Sequence, residues 1–250
     1  MMRNKFSLPG LMFCMRPFLF FGVGLLAMSG LRGGPAHFTS GDAQASLVEL
    51  FTSEGCSSCP PAERWLATLQ QDPGLWRDFV PVAFHVDYWN RLGWPDRFST
   101  RQFTQREYDY SAAWQSHSVY TPCLVRDGAE WKNSRTLSPT GVMAGKLTVS
   151  YDGGAVHTEF TPTSPHAGDA FEVHAAILGG GITSKVTAGE NGGETLHHEF
   201  IALALGMTPL GHDLALPVPK LAGVTRHALA VWVTRKGDLT PLQATGGWLD

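Results

Sequence analysis

Apolar and polar positions follow two regimes along the chain. From residue 47 to 132, short apolar runs alternate with stretches of helical spacing. Residues 47–51 and 79–86 read as strands. Residues 62–71 carry Trp65, Leu66 and Leu69 at helical spacing, and Asp72, Pro73 and Gly74 stop them. Residues 96–116 predict a second helix, with Ser99 and Gln102 as a capping box and Phe103, Tyr110 and Trp114 on one face. A third strand over 119–126 is interrupted by Pro122. Asp127 and Gly128 then form a tight turn into a return strand at 129–132. The order β, α, β, α, β, β implies parallel pairing closed by an antiparallel hairpin.

Beyond Lys146 the period becomes two. Residues 147–151, 156–160, 171–178, 182–187, 196–205, 214–218 and 228–234 all read as strands, with glycine clusters between them. Phe171, Val173, Ala175 and Ile177 alternate, as do Leu229, Val231 and Val233. This half predicts an antiparallel, sandwich-like region. The expected organisation is an α/β domain over 46–145 and a β-rich domain over 146–250.

The amino terminus reads differently. Arg3, Lys5 and Arg16 precede an apolar run from residue 18 to 31, and Ala27 and Ser29 suit a signal peptidase. Arg16 cuts the run short of the ~20 residues a spanning helix needs. The expectation is a cleaved signal over 1–29, a leader over 30–45, an exported (periplasmic or secreted) protein, and no stable membrane anchor. Cleavage removes Cys14 and leaves Cys56, Cys59 and Cys123, in a compartment where disulfides persist. A net charge of −3 without a Lys/Arg block argues against a nucleic-acid partner. No glycine cluster lies between a strand and a helix, so no phosphate-binding loop is expected.

The candidate chemistry begins at Cys56-Ser57-Ser58-Cys59, after a strand and before a helix. Two cysteines at this spacing can close a disulfide ring, and a helix start favours a thiolate. Cys56 is then the nucleophile and Cys59 the resolving thiol. A zinc ribbon needs a second such pair, and none follows. The second element is Val119-Tyr120-Thr121-Pro122-Cys123. With these two elements in this order the chain resembles the thioredoxin superfamily. The resemblance implies an α/β thioredoxin-like domain in which Pro122 is cis and the Thr121-Pro122 loop faces the cysteines to hold a substrate backbone.

More narrowly, the chain resembles an exported thioredoxin-like family known as domain of unknown function 1223. The likeness rests on residues 48–61, on Ala83-Phe84-His85-Val86-Asp87-Tyr88-Trp89 with Leu92-Gly93-Trp94, and on residues 118–122. Gly189-Glu190-Asn191-Gly192-Gly193 is a weaker echo. The resemblance implies a fold and no substrate. Cys123 departs from it, since a non-thiol residue is expected after that proline. Pro60 and Pro61 depart too, because a helix beginning there leaves Cys56 in the preceding loop.

Supporting residues have two readings each. Glu49 is a proton shuttle for Cys59 or a surface-paired carboxylate. His85 tunes the thiols or joins a metal site, or is a hydrogen-bonded structural histidine. His197 and His198, with His157 and His174, lack ligand spacing and read as solvated sheet faces. The leading expectation is an exported thiol–disulfide oxidoreductase that needs no cofactor and acts on protein or small-molecule thiols and disulfides. One alternative is a copper(I) or other metal-ion module using Cys56, Cys59 and Cys123 as a third thiol. Another is a non-catalytic binding protein with a structural disulfide.

Overall fold

A computed structural model describes residues 1–2, 35–132, 136–165 and 167–249. The expected signal over 1–29 lies almost wholly outside the described residues, as does part of the leader. Residues Gly34–Asp250 form one compact unit.

The chain enters through β1 (Ala36–Thr39) and β2 (Ser46–Thr52). Helix α1 (Pro60–Thr68) follows, starting at the two prolines and continuing as a 3-10 turn to Gln71. Strand β3 (Phe79–His85) leads to α2 (Arg101–Ala113), whose cap is Thr100, not the expected Ser99. The Thr100 hydroxyl accepts from Phe103 N at 3.2 Å. Strands β4 (Cys123–Arg126) and β5 (Ala129–Glu130) form the predicted hairpin, but β4 begins only after Pro122.

The β-rich half contributes β6 (Gly145–Tyr151), β7 (Ala155–Pro162), β8 (Phe171–Gly180) and β9 (Ile182–Lys185). After these come β10 (Thr195–His198) and β11 (Ile201–Pro209), where one strand was expected. Phe200, at φ 59°, turns the chain between them. Strands β12 (Leu214–Ala215), β13 (Arg226–Arg235) and β14 (Pro241–Trp248) complete the chain.

The expected fold class is overturned. The protein is not a thioredoxin-like α/β domain followed by a separate sandwich-like region. One eight-stranded sheet, ordered β14-β13-β8-β11-β3-β2-β4-β5, runs through both halves. Strand far outweighs helix among the described residues, with α1 and α2 as their α-helices. The halves join where β11 lies parallel to β3, with Ile201 opposite Ala83. That junction is short for a local reason. Ala83 donates its N–H to Phe200 O at 2.8 Å. Two residues earlier the same edge of β3 presents Pro81, which has no N–H to offer.

Alternation along the long strands supplies two cores. On β8 and β13, Val173, Ala175, Ile177, Leu229, Val231 and Val233 face the four-stranded sheet β1-β6-β7-β12 and pack with Leu147, Val149 and Phe160. The opposite faces give Ala176, Leu178, Ala228, Ala230 and Trp232 to the core formed by β2, β3, α1 and α2. The loops after β2 and before β4 meet at one end of this second core.

Candidate functional site

The loop after β2 is pinned by its own backbone. Cys56 N donates to Ser53 O at 3.1 Å, and Cys59 N donates to Cys56 O at 3.2 Å. Cys56 and Cys59 form a disulfide with their Cα atoms 5.4 Å apart. Gly55 is packed tightly, since a Cβ there would stand 3.0 Å from Trp89 Cβ and the neighbour would have to give by a few tenths of an ångström.

Cys59 caps α1, and Pro60 and Pro61 occupy its first two positions. Neither proline has an N–H. The next two donors, Ala62 N and Glu63 N, both go to Cys59 O, at 2.9 and 3.2 Å. The free N–H groups that stabilise a thiolate at a helix start are therefore missing or used. Sequence reasoning placed that stabilisation on Cys56, and the prolines remove most of it.

The Thr121-Pro122 peptide is cis. Thr121 O lies 3.7 Å from Cys56 Sγ. Ser58 Oγ stands 3.3 Å from the same sulfur and donates to Thr121 O at 3.4 Å. Trp89 Nε1 donates to Thr121 Oγ1 at 2.8 Å and fixes the loop from behind. The two loops singled out in the sequence thus meet. Around them Ser57 and Ser58 are exposed and Tyr120 is 42% exposed, while both cysteines are 0% exposed.

Cys123 opens β4 opposite Phe51, buried in the core with a free thiol. Burial pushes that thiol up to about 12, and the Glu107 charge adds to the effect. Glu49 is fully buried, so its surface-paired reading fails. Both its oxygens are taken, Oε1 by Arg106 Nε at 2.6 Å and Oε2 by the Tyr110 hydroxyl at 2.5 Å.

His85 is fully buried at the end of β3, and its Nδ1 stands 2.7 Å from Asp96 Oδ2. It belongs to a cluster that sequence reasoning missed. Glu63 on α1 meets His198 on β10, with Oε2 and Nδ1 2.5 Å apart. Thr52 Oγ1 donates to Glu63 Oε1 at 2.6 Å, and His198 Nε2 lies 3.2 Å from Glu54 Oε1. Burial pushes the His198 imidazole down, but Glu63 and Glu54 outweigh it and hold it at about 10. His198 is not a solvated sheet residue. It shares the buried face of β10 with Leu196, two positions earlier, and that alternation was its sequence signal.

The 189–193 turn straps the cysteine loop. Asn191 Nδ2 donates to Glu54 O at 2.9 Å and to Cys56 O at 3.0 Å. Glu190 Oε2 accepts from Ser57 N and Ser57 Oγ. A cavity of about 670 Å³ lies elsewhere, lined by Arg106, Asp109, His174 and Met207 among others, and none of the sequence-predicted site residues lines it.

Residues 47–234 match the family described as "Protein of unknown function (DUF1223)". No curated protein matches the chain. Among solved structures, the chain is similar to protein AGR_C_4864 from Agrobacterium tumefaciens, at 26% identity and a TM-score of 0.58, over 82% of this chain and 94% of that one. It is also similar to HBP35 of Porphyromonas gingivalis, at 11% identity and a TM-score of 0.53, over 83% of this chain and 76% of that one. The second likeness is one of fold alone.

Proposed function

Since the chain belongs to the DUF1223 family, whose description names no activity, we propose from its own site that it is an exported thiol–disulfide oxidoreductase. The observation that carries this reading is the 3.7 Å approach of Thr121 O to Cys56 Sγ across 65 residues of sequence. A disulfide sulfur beside a loop with exposed flanks suits exchange with a thiol-bearing chain. The disulfide itself supports the exported setting, because such bonds persist in oxidising compartments.

The exchange needs only sulfur chemistry. A substrate thiolate attacks Cys56 Sγ, the Cys56–Cys59 bond breaks, and Cys59 leaves as a thiolate that takes up a proton. A second substrate thiolate then attacks the mixed disulfide and releases Cys56. The substrate is oxidised by two electrons and the protein is reduced by two; the reverse sequence reduces a substrate disulfide. With so few helix-start donors for a thiolate, the reduced form gains little, so the reduction potential is expected below about −200 mV.

The test compares wild type with Cys56→Ser in exchange with a dithiol peptide and in insulin reduction. Loss of exchange in the variant is the expected result. Equal rates in the two proteins would remove the proposal. A structural disulfide is the second reading, and the complete burial of both cysteines favours it. In that case Cys56→Ser lowers stability and leaves the exchange rate unchanged.

A further inference from the structure

The buried cluster behind the cysteine loop has a composition that neither the fold nor thiol exchange requires. From it we infer that Glu63, His85 and His198 form a binding site for a divalent transition-metal ion of the zinc type. The site does not depend on the redox reading.

One ligand atom from each of these residues lies within 4.8 Å of the other two. They come from α1, β3 and β10, so regular elements position each of them. Bonds of roughly 2.0–2.2 Å put two ligands on one zinc about 3–4 Å apart, so small side-chain rotations close the set.

The partners of each ligand select the inward atoms. Asp96 takes His85 Nδ1 at 2.7 Å. Glu54 stands 3.2 Å from His198 Nε2. Thr52 occupies Glu63 Oε1 at 2.6 Å. The atoms that remain are His85 Nε2, which has no partner, and His198 Nδ1 and Glu63 Oε2, which now meet each other at 2.5 Å and would both turn to the ion. Metal-bound imidazoles almost always carry a carboxylate, carbonyl or water on their other nitrogen, which orients the ring and raises its basicity. Here Asp96 holds His85 Nδ1 in that manner, and Glu54 Oε1 lies 3.2 Å from His198 Nε2 without a hydrogen bond between them.

An independent observation points to a ligand. His85 Nε2 is buried and has no hydrogen-bond partner. A native interior leaves few polar atoms in that state. Two nitrogens and one carboxylate oxygen suit zinc and its neighbours better than calcium or magnesium, which prefer oxygen, or copper(I), which prefers thiolate. Glu63 also lines a cleft of about 60 Å³ with Pro60, Arg64 and Leu196.

The full chain, stripped with chelator, is titrated with Zn²⁺ by calorimetry and with Co²⁺ by absorption. Roughly one ion per chain is expected. The cobalt spectrum should show nitrogen and oxygen ligation without thiolate charge-transfer bands. A Cys56→Ser/Cys59→Ser double variant should retain the ion, His85→Gln should lose it, and Asp96→Asn should bind about 10–100-fold more weakly. Absence of saturable binding in the wild type would overturn the inference, and so would thiolate bands in its cobalt spectrum. Because those two readouts use the wild type, they decide the matter even where a variant fails to fold.

Discussion

Glu190 Oε2 accepts two hydrogen bonds from Ser57, one from its backbone N–H at 3.1 Å and one from its hydroxyl at 2.8 Å. The two residues are 133 positions apart, and Ser57 directly follows Cys56. With Asn191 on Cys56 O, the 189–193 turn holds the loop whose sulfurs are buried.

Releasing that strap should therefore expose the disulfide. Glu190→Ala is expected to speed reduction of Cys56–Cys59 by a phosphine reductant roughly fivefold, given the two charge-assisted bonds it removes. The Ser57 N–H and hydroxyl hold the Glu190 carboxyl below the usual carboxylate range. The strap is thus in place above the ordinary carboxylate pKa and is lost as pH falls through the lowered one. Wild-type reduction should accelerate over that acidic window, and the variant should show no such change. Equal rates for the two proteins at neutral pH would disprove the strap.

Arg106 marks a different dependence. Its Nε bonds Glu49 Oε1 at 2.6 Å and its Nη2 donates to the Tyr110 hydroxyl at 3.0 Å, all within the core. Arg106→Met strands a buried carboxylate and should cost about 3–5 kcal/mol in urea denaturation. The double variant Arg106→Met/Glu49→Leu should recover most of that loss, because no uncompensated charge remains. No recovery would mean that the packing of Arg106, not its charge, carries the effect.

Local signals in the chain were readable and distant pairings were not. Cys56 and Cys59, the Thr121-Pro122 loop, the hairpin at Gly128 and most strands of the second half all follow from neighbouring residues. The placement of β11 beside β3 does not, because nothing near Ile201 names Ala83 as its partner. That single pairing turns two expected domains into one sheet. The Glu63–His198 contact spans 135 residues and joins a helix to the separate β9–β10 pair. Single-residue readings of His85 and His198 could not find it, although Leu196 already showed which face of β10 is buried. Pro60 and Pro61 were legible as a helix start, and the loss of donors near Cys56 follows from them.

Glu107 carries the clearest pH dependence. Its carboxyl is buried on α2, where it accepts from the Tyr88 hydroxyl at 3.2 Å and from Tyr120 N at 3.3 Å. Burial outweighs those bonds and pushes it up to about 7. The folded protein therefore holds a proton at Glu107 that the unfolded chain has released between the ordinary glutamate value and about 7. Binding more protons when folded makes stability fall as pH rises across that window. The loss attributable to this group is on the order of 3 kcal/mol, fully developed above about pH 7. Glu107→Gln keeps a carbonyl oxygen for Tyr120 N, can donate its amide N–H to the Tyr88 hydroxyl as the protonated acid would, and cannot ionise, so it should be close to neutral in effect near pH 4 and stabilising near pH 8. Urea denaturation of both proteins across that range provides the check. Parallel stability curves would show that Glu107 ionises normally in the folded protein and would remove the carboxyl from any account of how the Tyr120 loop responds to pH.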